Sequence, residues 1–317
     1  MQFDIDILSN QLIRQRRFIF MDKKTKEKKP TEKKPMEKKA KIIVIISTIA
    51  LILIAIYLLC YALIRTKVVE INEWFLPKNA ITGVSISSHQ GKVDMEQLAD
   101  QDIQFALIKA TEGTTNVDKY FAANWENAKA AGIPASAYHF FSFSTPGDTQ
   151  AQNYIDTVGK NLDGRLIPAV DIQYTAKYSK QNPPAKAAVR REFTTYLNII
   201  ENYYGVKPII YTDKEFYDDY LDGIIDGYDL WVSNSFHPAS WDGWKDWTIW
   251  HYCQTDELKG ISSDYINLNV LADDTTLADL TYVAPAVSDS DLEQPEKAEK
   301  QEKAEKPKKE KKAKKAA

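Results

Sequence analysis

One apolar segment constrains this chain more than any other feature. Residues Ile42–Ile64 read IIVIISTIALILIAIYLLCYALI and contain no charged residue, no proline and no glycine. These 23 residues are long enough for a helix to cross a hydrocarbon core of about 30 Å. A buried helix of a soluble protein normally carries a polar stripe, which is missing from this segment. We therefore expect one transmembrane helix over residues 42–64.

The segment itself disfavours two other interpretations. A cleaved signal peptide has an apolar region of about 7–15 residues followed by an A-x-A-like site, whereas this segment is longer and lacks that site. A lipoprotein signal needs a small residue before the modified cysteine, but Leu59 precedes Cys60. The segment is therefore expected to anchor the chain.

Charge is unevenly distributed on the two sides of the segment. Residues 1–41 carry 13 basic and 6 acidic side chains, a net charge of +7. Residues 68–288 carry 16 basic and 30 acidic side chains, a net charge of −14. Basic residues favour the cytoplasmic side of a membrane, and only Arg65 and Lys67 oppose this orientation. We expect a single-pass protein with a cytoplasmic N-terminus and an extracytoplasmic C-terminal domain.

The same composition bears on partners and cofactors. The acidic central region argues against nucleic-acid binding, because phosphate contacts need a basic face. Two cysteines cannot build a disulfide framework, and the sequence has no CxxC or Cys/His cluster that would indicate zinc. It also has no GxGxxG or GxxxxGK[ST] motif for a nucleotide. The sequence therefore calls for no cofactor and no metal.

Composition divides the chain into five parts. The Lys-rich run that ends at Lys41 belongs to a basic cytoplasmic segment, 1–41, and a linker over 65–80 follows the span. Residues 81–273 are expected to fold. A disordered K/E-rich tail is expected over 274–317, because Asp289–Ala317 has almost no apolar side chains to offset the entropy lost on folding. This tail is either a solvated spacer or an element whose basic tip touches anionic wall polymers or lipid headgroups.

The region 81–273 alternates short β-branched or aromatic runs with helical stretches. The runs predict eight strands, at Ile81–Ile86, Phe105–Ala110, Ala135–Phe141, Leu166–Ile172, Pro208–Thr212, Asp229–Ser233, Trp247–Tyr252 and Ile266–Leu271. Several runs are almost wholly apolar, which is typical of parallel strands buried on both faces. Helices are predicted over Asp118–Ala131 and Pro184–Tyr203. We expect an α/β fold, an irregular (β/α)-type TIM-like barrel, with an open doubly wound sheet as the alternative.

Eight sequence blocks in this region resemble those of a known family. They are GVSISSHQG (Gly83–Gly91), FALIKATEG (Phe105–Gly113), GIPASAYHF (Gly132–Phe140), LIPAVDIQ (Leu166–Gln173), KPIIYT (Lys207–Thr212), DLWVS (Asp229–Ser233), WTIWHY (Trp247–Tyr252) and INLNVL (Ile266–Leu271). In order and spacing they resemble glycoside hydrolase family 25, the N-acetylmuramidase lysozymes. The resemblance implies a barrel with a glycan groove at the carboxyl ends of its strands. It also implies that the MurNAc–GlcNAc backbone of peptidoglycan is the substrate, and hence a bacterial cell membrane as the location.

The resemblance also identifies residues for glycan binding. Two histidines match the family pattern, and four aromatic residues lie at or near strand ends, where they either stack on sugar rings or fill the core. The candidates are His89, Tyr138, His139, Tyr211, Trp231 and Trp250. Phe140 and Phe105 are expected to belong to the core.

The acidic residues are where the chain departs from the family pattern. That pattern has an Asp in the first strand (GxDxSxHQG), Asp and Glu two apart in the fourth (DxE) and an Asp in the last (DLN). This chain retains Asp171 but has Ser85, Gln173 and Asn267 at the other three positions. Residues 171 and 173 are two apart, so their side chains point to the same face of a strand. Glycoside hydrolysis usually needs two carboxyl groups, and the Gln173 amide has no acidic proton.

Three functions remain open. The substitutions favour a membrane-anchored pseudo-muramidase that binds peptidoglycan glycan strands, because a well-placed general acid contributes about 10²–10⁴-fold to the rate. An active or weakly active muramidase would need a rearranged acid, for which Asp264 is the first candidate, while Glu112 is expected to be a structural acceptor. A scaffold for wall-synthesis or division proteins is the third.

Overall fold

The computed structural model describes residues 37–66, 71–244, 246–255, 258–263 and 265–285. Most of the basic N-terminal segment and of the K/E-rich tail lies outside these ranges. The apolar segment forms helix α1 (Lys38–Arg65), none of whose residues is buried. Within the described residues α1 is the one helix long and apolar enough to cross a membrane. It contains the predicted span, whereas the orientation of the span in a membrane stays a prediction.

The C-terminal part of the chain is built around nine strands. They are β1 (Thr82–Ile86), β2 (Ile103–Glu112), β3 (Asn116–Val117), β4 (Ala135–Phe140), β5 (Ala169–Asp171), β6 (Ile209–Asp213), β7 (Leu230–Ser233), β8 (Ile249–Thr255) and β9 (Ile266–Leu271). Their order is β1-β9-β8-β7-β6-β5-β4-β2-β3, and β1 also pairs with β2. That last pairing closes eight strands into a barrel, with β3 attached to β2. The barrel prediction is confirmed, and closure excludes the open doubly wound sheet.

The last strand runs against the others. Neighbouring strands of the barrel are parallel, except that β9 is antiparallel to both β8 and β1. Only residues 256–265 connect β8 to β9, and a parallel crossover needs a dozen or more residues. As a result, β9 begins at the end of the barrel where the other strands finish. We call this end the mouth.

Helices fill most of the remaining connections. They are α2 (Met95–Ala99), α3 (Phe121–Ala130), α4 (Gly147–Val158), α5 (Lys186–Tyr204), α6 (Lys214–Phe216) and α7 (Leu277–Leu280). The predicted helices correspond to α3 and α5, whereas the sequence did not predict α4. A π-helical turn (Tyr217–Leu221) continues α6, and 3₁₀ turns occupy Asn72–Phe75 and Ala239–Asp242.

Helix α4 begins in close contact with α5. A Cβ atom at Gly147 would lie 1.9 Å from the carbonyl oxygen of Glu192, so no other residue fits there without moving a helix. The Gly147 N–H also donates to the Glu192 carboxylate at 2.9 Å. This contact fixes α4 over β4, where its side chains reach the outward face of the strand.

The buried apolar residues form two clusters. The larger one fills the barrel and the space between the strands and the helices. The smaller one lies outside β7 and β8, and we call it the outer cluster. Its buried members are Val232, Ala239, Trp244, Trp250, Tyr252, Cys253 and Val270. The outer cluster therefore uses the strand faces that point away from the barrel interior.

Candidate active site

A groove of about 610 Å³ opens at the mouth of the barrel. Its volume is in the range typical of small-molecule sites. Residues from β1, β2, β4, β5 and β9 and from two loops line it: Ser85, Ile86, Ser87, His89, Gln90, Lys109, Tyr138, Phe140, Asp171, Ser263, Tyr265 and Asn267. The structure thus brings Ser85, Asp171 and Asn267 to one groove, and their catalytic roles stay predictions.

Ser85 and Asn267 are direct neighbours across two strands. They face each other in the antiparallel register of β1 and β9. Asn267 is the second residue of β9, and it reaches the mouth because β9 runs against the other strands. Its side-chain oxygen accepts a hydrogen bond from Gln254 Nε2 at 3.2 Å. Two neutral polar groups therefore stand where the family pattern has two carboxylates.

Asp171 and Gln173 are joined by hydrogen bonds. Gln173 Nε2 lies 2.9 Å from Asp171 Oδ1 and 3.1 Å from Oδ2, so the amide donates to the carboxyl group. Asp171 is the last residue of β5, between Phe140 of β4 and Tyr211 of β6 in the strand register. The expectation that residues 171 and 173 share a face agrees with this geometry.

The carboxyl group of Asp171 is buried, with 7% of the residue exposed. Burial raises the pKa of Asp171 to about 8, although the Gln173 hydrogen bond and the charge of Lys109 act in the opposite direction. The carboxylates of Asp213 and Glu112 add to the rise. At neutral pH the Asp171 carboxyl group therefore holds its proton, which makes it the one acidic proton among the four family positions.

Lys109 and Phe140 line the groove but were missed as site residues in the sequence. Lys109 Nζ lies 2.6 Å from Glu112 Oε2 and 4.8 Å from the centroid of the Phe140 ring. The Lys109 side chain is largely buried, at 16% exposed. Phe140 was expected in the core, yet it shares the inward face of β4 with Tyr138 because the two are two residues apart. The lysine within the largely apolar block FALIKATEG could have indicated a cation at this position of the site.

A cluster of aromatic rings lies below the groove. The Trp231 ring is 4.4 Å from the Tyr211 ring and 5.8 Å from the Tyr138 ring, measured between centroids. Trp231 Nε1 donates to Asn269 Oδ1 at 2.8 Å. The hydroxyl of Tyr211 lies 3.2 Å from His251 Nδ1. Of these residues only Tyr138 lines the groove, so Tyr211 and Trp231 support the floor rather than the wall of the site.

Two further predicted glycan-binding residues, His139 and Trp250, lie on the outward faces of their strands. His139 is fully buried on the outward face of β4, between Tyr138 and Phe140, and its ring stacks on Tyr196 of α5 at 5.0 Å. Trp250 belongs to the outer cluster, and its Nε1 donates to the Asn234 carbonyl at 2.9 Å. Adjacent residues of a strand point to opposite faces, so both side chains point away from the barrel interior.

The surroundings of His139 define its protonation. Gln150 Oε1 accepts a hydrogen bond from the Ser142 N–H, and it also lies 3.1 Å from His139 Nε2. An amide oxygen only accepts, so Nε2 carries the proton and Nδ1 accepts from Thr111 Oγ1 at 2.7 Å. Burial lowers the pKa of His139 to about 4. His139 is therefore a neutral link between β4, β2 and α4.

The loop after β1 holds His89 at the groove. Gln90 Oε1 accepts from the Ser87 N–H at 2.8 Å, and Gln90 Nε2 donates to the Tyr265 carbonyl at 2.6 Å. The buried Asp118 carboxylate accepts from the Ser88 N–H at 2.7 Å. These bonds tie the SSHQG loop to the segment before β9. His89 itself is exposed at the rim, and the exposed Tyr265 faces the same groove.

The described residues contain no group of three or more His, Cys, Asp or Glu that could hold a metal ion. Asp264, the first candidate for a rearranged acid, lies outside the described residues. Glu112 is paired with Lys109, as expected of a structural acceptor.

Comparison with known proteins identifies the family. The sequence model for glycosyl hydrolases family 25 matches residues 84–261. Protein YegX of Escherichia coli K12 is 30% identical over 195 residues, which are 60% of this chain and 69% of YegX. Lysozyme M1 of Streptomyces globisporus is 28% identical over 198 residues, 59% of this chain and 66% of the lysozyme.

A solved structure agrees with both sequence comparisons. The family 25 glycosyl hydrolase from Bacillus anthracis is 36% identical, with a TM-score of 0.59, over 65% of this chain and 94% of that one. The matched residues contain six of the eight strands of the closed barrel and three of the five residues of β1, with β9 beyond the family match. The chain therefore belongs to glycosyl hydrolases family 25.

Proposed function

We propose that the barrel binds peptidoglycan glycan strands in the mouth groove and is impaired as a muramidase. Lysozyme M1 belongs to a class of enzymes that act on peptidoglycan, and it is similar to this chain over 198 residues. The groove offers hydroxyl, amide and aromatic groups of the kind that bind sugars, including Ser85, Asn267 and Tyr138. This combination supports glycan as the ligand.

The hydrogen bonds between Gln173 and Asp171 carry the proposal of impaired catalysis. Glycoside hydrolysis uses one carboxyl group as acid and a second as nucleophile, base or stabiliser. Here the partner of Asp171 is an amide that donates to it. Ser85 and Asn267 supply no charge either, so a developing positive charge on the sugar finds little electrostatic stabilisation at these positions. We expect a rate orders of magnitude below that of a family member with all four carboxylates.

Weak muramidase activity is the second candidate, and one observation favours it. Burial raises the pKa of Asp171 to about 8, so this carboxyl group holds a proton that it could deliver to a glycosidic oxygen. Without a second carboxylate such a mechanism lacks its nucleophile or stabiliser. A scaffold that recruits wall-synthesis or division proteins is compatible with glycan binding and needs no catalysis.

Anchoring completes the proposal. Helix α1 is long and apolar enough to cross a membrane, and the basic residues before it favour a cytoplasmic N-terminus. The barrel then lies outside the cell membrane of a bacterium, where peptidoglycan is the neighbouring polymer.

The test measures turnover and binding on the same material. Full-length protein in detergent micelles is incubated with purified peptidoglycan, new reducing ends are counted, and the bound fraction is measured by co-sedimentation. A triple variant, Ser85→Asp with Gln173→Glu and Asn267→Asp, restores the family pattern. Asn198→Asp, on the exposed side of α5, is the matched control for an amide-to-acid change outside the groove.

The proposal predicts that the native protein and the control bind without releasing reducing ends, while the triple variant cleaves. Native turnover close to that of the triple variant would show that another acid acts in this groove. Absence of binding in every variant would exclude glycan as the ligand and leave the scaffold.

A further inference from the structure

Three exposed aromatic side chains lie on two neighbouring 3₁₀ turns, away from the glycan groove. Trp74 is 76% exposed, Phe75 47% and Trp241 60%. The Phe75 and Trp241 rings meet edge to face, with centroids 5.6 Å apart. None of the three lines the groove. We call these three residues the aromatic surface, because exposed apolar side chains that lie close together, unlike scattered single ones, can mark a site of interaction.

The aromatic surface is fixed to the mouth end of the barrel. Asn72, the first residue of the 3₁₀ turn that carries Trp74 and Phe75, is 3% exposed. Asn72 Nδ2 donates to the carbonyl oxygens of Asn234 at 3.0 Å and Tyr252 at 2.6 Å. Asn234 directly follows β7, so it lies at the mouth. Two hydrogen bonds from one buried amide therefore hold the turn in place.

The aromatic surface is also close in sequence to the apolar helix. Helix α1 ends at Arg65 and the turn begins at Asn72. Seven Cα–Cα steps separate these two residues, so an extended chain spans at most about 25 Å between them. Tryptophan is enriched at the headgroup level of membranes, where one part of its ring is apolar and another is wet. Exposed Lys78 and exposed Glu73 balance each other in charge, so contact with lipid depends on the aromatic rings and on the short connection to α1.

We propose that the aromatic surface rests in the headgroup layer of the membrane in which α1 anchors the chain. Trp74 and Trp241 enter the boundary between headgroups and acyl chains, and Phe75 packs between lipid and Trp241. Because Asn72 fixes the surface to the mouth, the groove is held close to the lipid. The glycan within its reach is then the layer next to the membrane. The inference rests on the proposed anchoring by α1.

Fluorescence quenching by brominated lipid tests this docking. Full-length protein is reconstituted into vesicles of phosphatidylcholine and phosphatidylglycerol, with or without bromine on the acyl carbons just below the headgroups. Bromine quenches tryptophan only on close approach. The double variant Trp74→Phe with Trp241→Phe removes two of the seven tryptophans and keeps an aromatic ring at each position. The matched control is Trp247→Phe, because Trp247 lies just before the start of β8, at the end of the barrel opposite the mouth.

Flotation of the vesicles separates anchoring from docking. The expected result is that all three proteins float with the vesicles, that bromolipid lowers the emission of the native protein and Trp247→Phe, and that the double variant loses this response. If the proteins float but bromolipid quenches the native protein and the double variant equally, or quenches neither, the docking is wrong and the anchoring stands. Protein that does not float would refute the anchoring and, with it, the docking.

Discussion

The side-chain amide of Gln173 donates to both carboxyl oxygens of Asp171, at 2.9 and 3.1 Å. In the family pattern a glutamate occupies this position, and two carboxyl groups would then meet in a buried site. The amide takes one ionisable carboxyl group out of this site and supplies a hydrogen-bond donor instead. The same pair of side chains thus underlies both the proposed loss of catalytic power and an expected gain in the stability of the groove.

Restoring the acids should therefore destabilise the protein. We expect the double change Gln173→Glu with Asn267→Asp to lower the melting temperature at pH 7 by several degrees, because the buried Asp171 carboxyl group loses its amide donor, at a cost of about 1–3 kcal/mol. Differential scanning calorimetry of the full-length protein measures the shift, with Asn198→Asp as control. A higher melting temperature in the double variant would contradict this explanation.

The raised pKa of Asp171 predicts how stability depends on pH. Between about pH 4 and pH 8 the folded state keeps the proton of Asp171 while the unfolded chain releases it. The unfolded state then binds fewer protons, so the contribution of Asp171 falls as pH rises, by up to about 1.4 kcal/mol per pH unit. Below this window the contribution is fully present, and above it the contribution is lost.

Urea unfolding from pH 4 to pH 9 tests this prediction. Asp171→Asn removes the titrating group and keeps its size, so the native stability minus that of the variant should decline through the window. Every other titrating group is shared by the two proteins and cancels in the difference. A difference that does not change with pH would place the pKa of Asp171 near its ordinary value.

Much of this architecture could be predicted from the sequence. Eight apolar runs correspond to the eight strands of the closed barrel, since a strand that is buried on both faces appears in the sequence as a continuous apolar run. Helix α4 was missed because it begins at a glycine and its first turn is polar (Gly147–Gln150). Its start depends on contact with Glu192 of α5, and a contact so distant in sequence leaves no local signal.

The candidate site was predicted less completely, and strand alternation explains the difference. Tyr138 and His139 are consecutive residues of β4, so they cannot both face the groove. Strand alternation could therefore have assigned the two residues to opposite faces from the sequence alone. Lys109 and Phe140 were missed for another reason: their role depends on which face of each strand turns inward, and that is settled only when the barrel closes.

His139 should behave as a structural residue. Burial lowers its pKa to about 4. Between about pH 6.5 and pH 4 the unfolded chain therefore binds a proton that the folded state does not bind. Its contribution to stability is therefore present above pH 6.5 and is lost as pH falls. We expect His139→Gln to cost about 1–3 kcal/mol at pH 7, because Thr111 and Gln150 lose a buried partner.

Urea unfolding at pH 5 and pH 7 measures this cost, and co-sedimentation with peptidoglycan measures binding. The cost should be smaller at pH 5, where the native protein has already lost part of the contribution of His139. Binding per folded molecule should be unchanged. A variant that keeps its stability but no longer binds glycan would return His139 to the glycan-binding residues.

Substitutions of Tyr138 and Trp250 should have different effects: the first should weaken glycan binding, and the second should lower stability. Tyr138 lines the groove, so Tyr138→Leu removes a ring on which a sugar can stack and should weaken glycan binding about 2–10-fold, the equivalent of about 0.5–1.5 kcal/mol. Trp250 is 2% exposed in the outer cluster. Trp250→Phe leaves a cavity and the Asn234 carbonyl without its indole donor, so it should lower the melting temperature and leave binding unchanged. Co-sedimentation and calorimetry on both variants give the comparison, and weaker binding by Trp250→Phe at full stability would place its ring in contact with glycan.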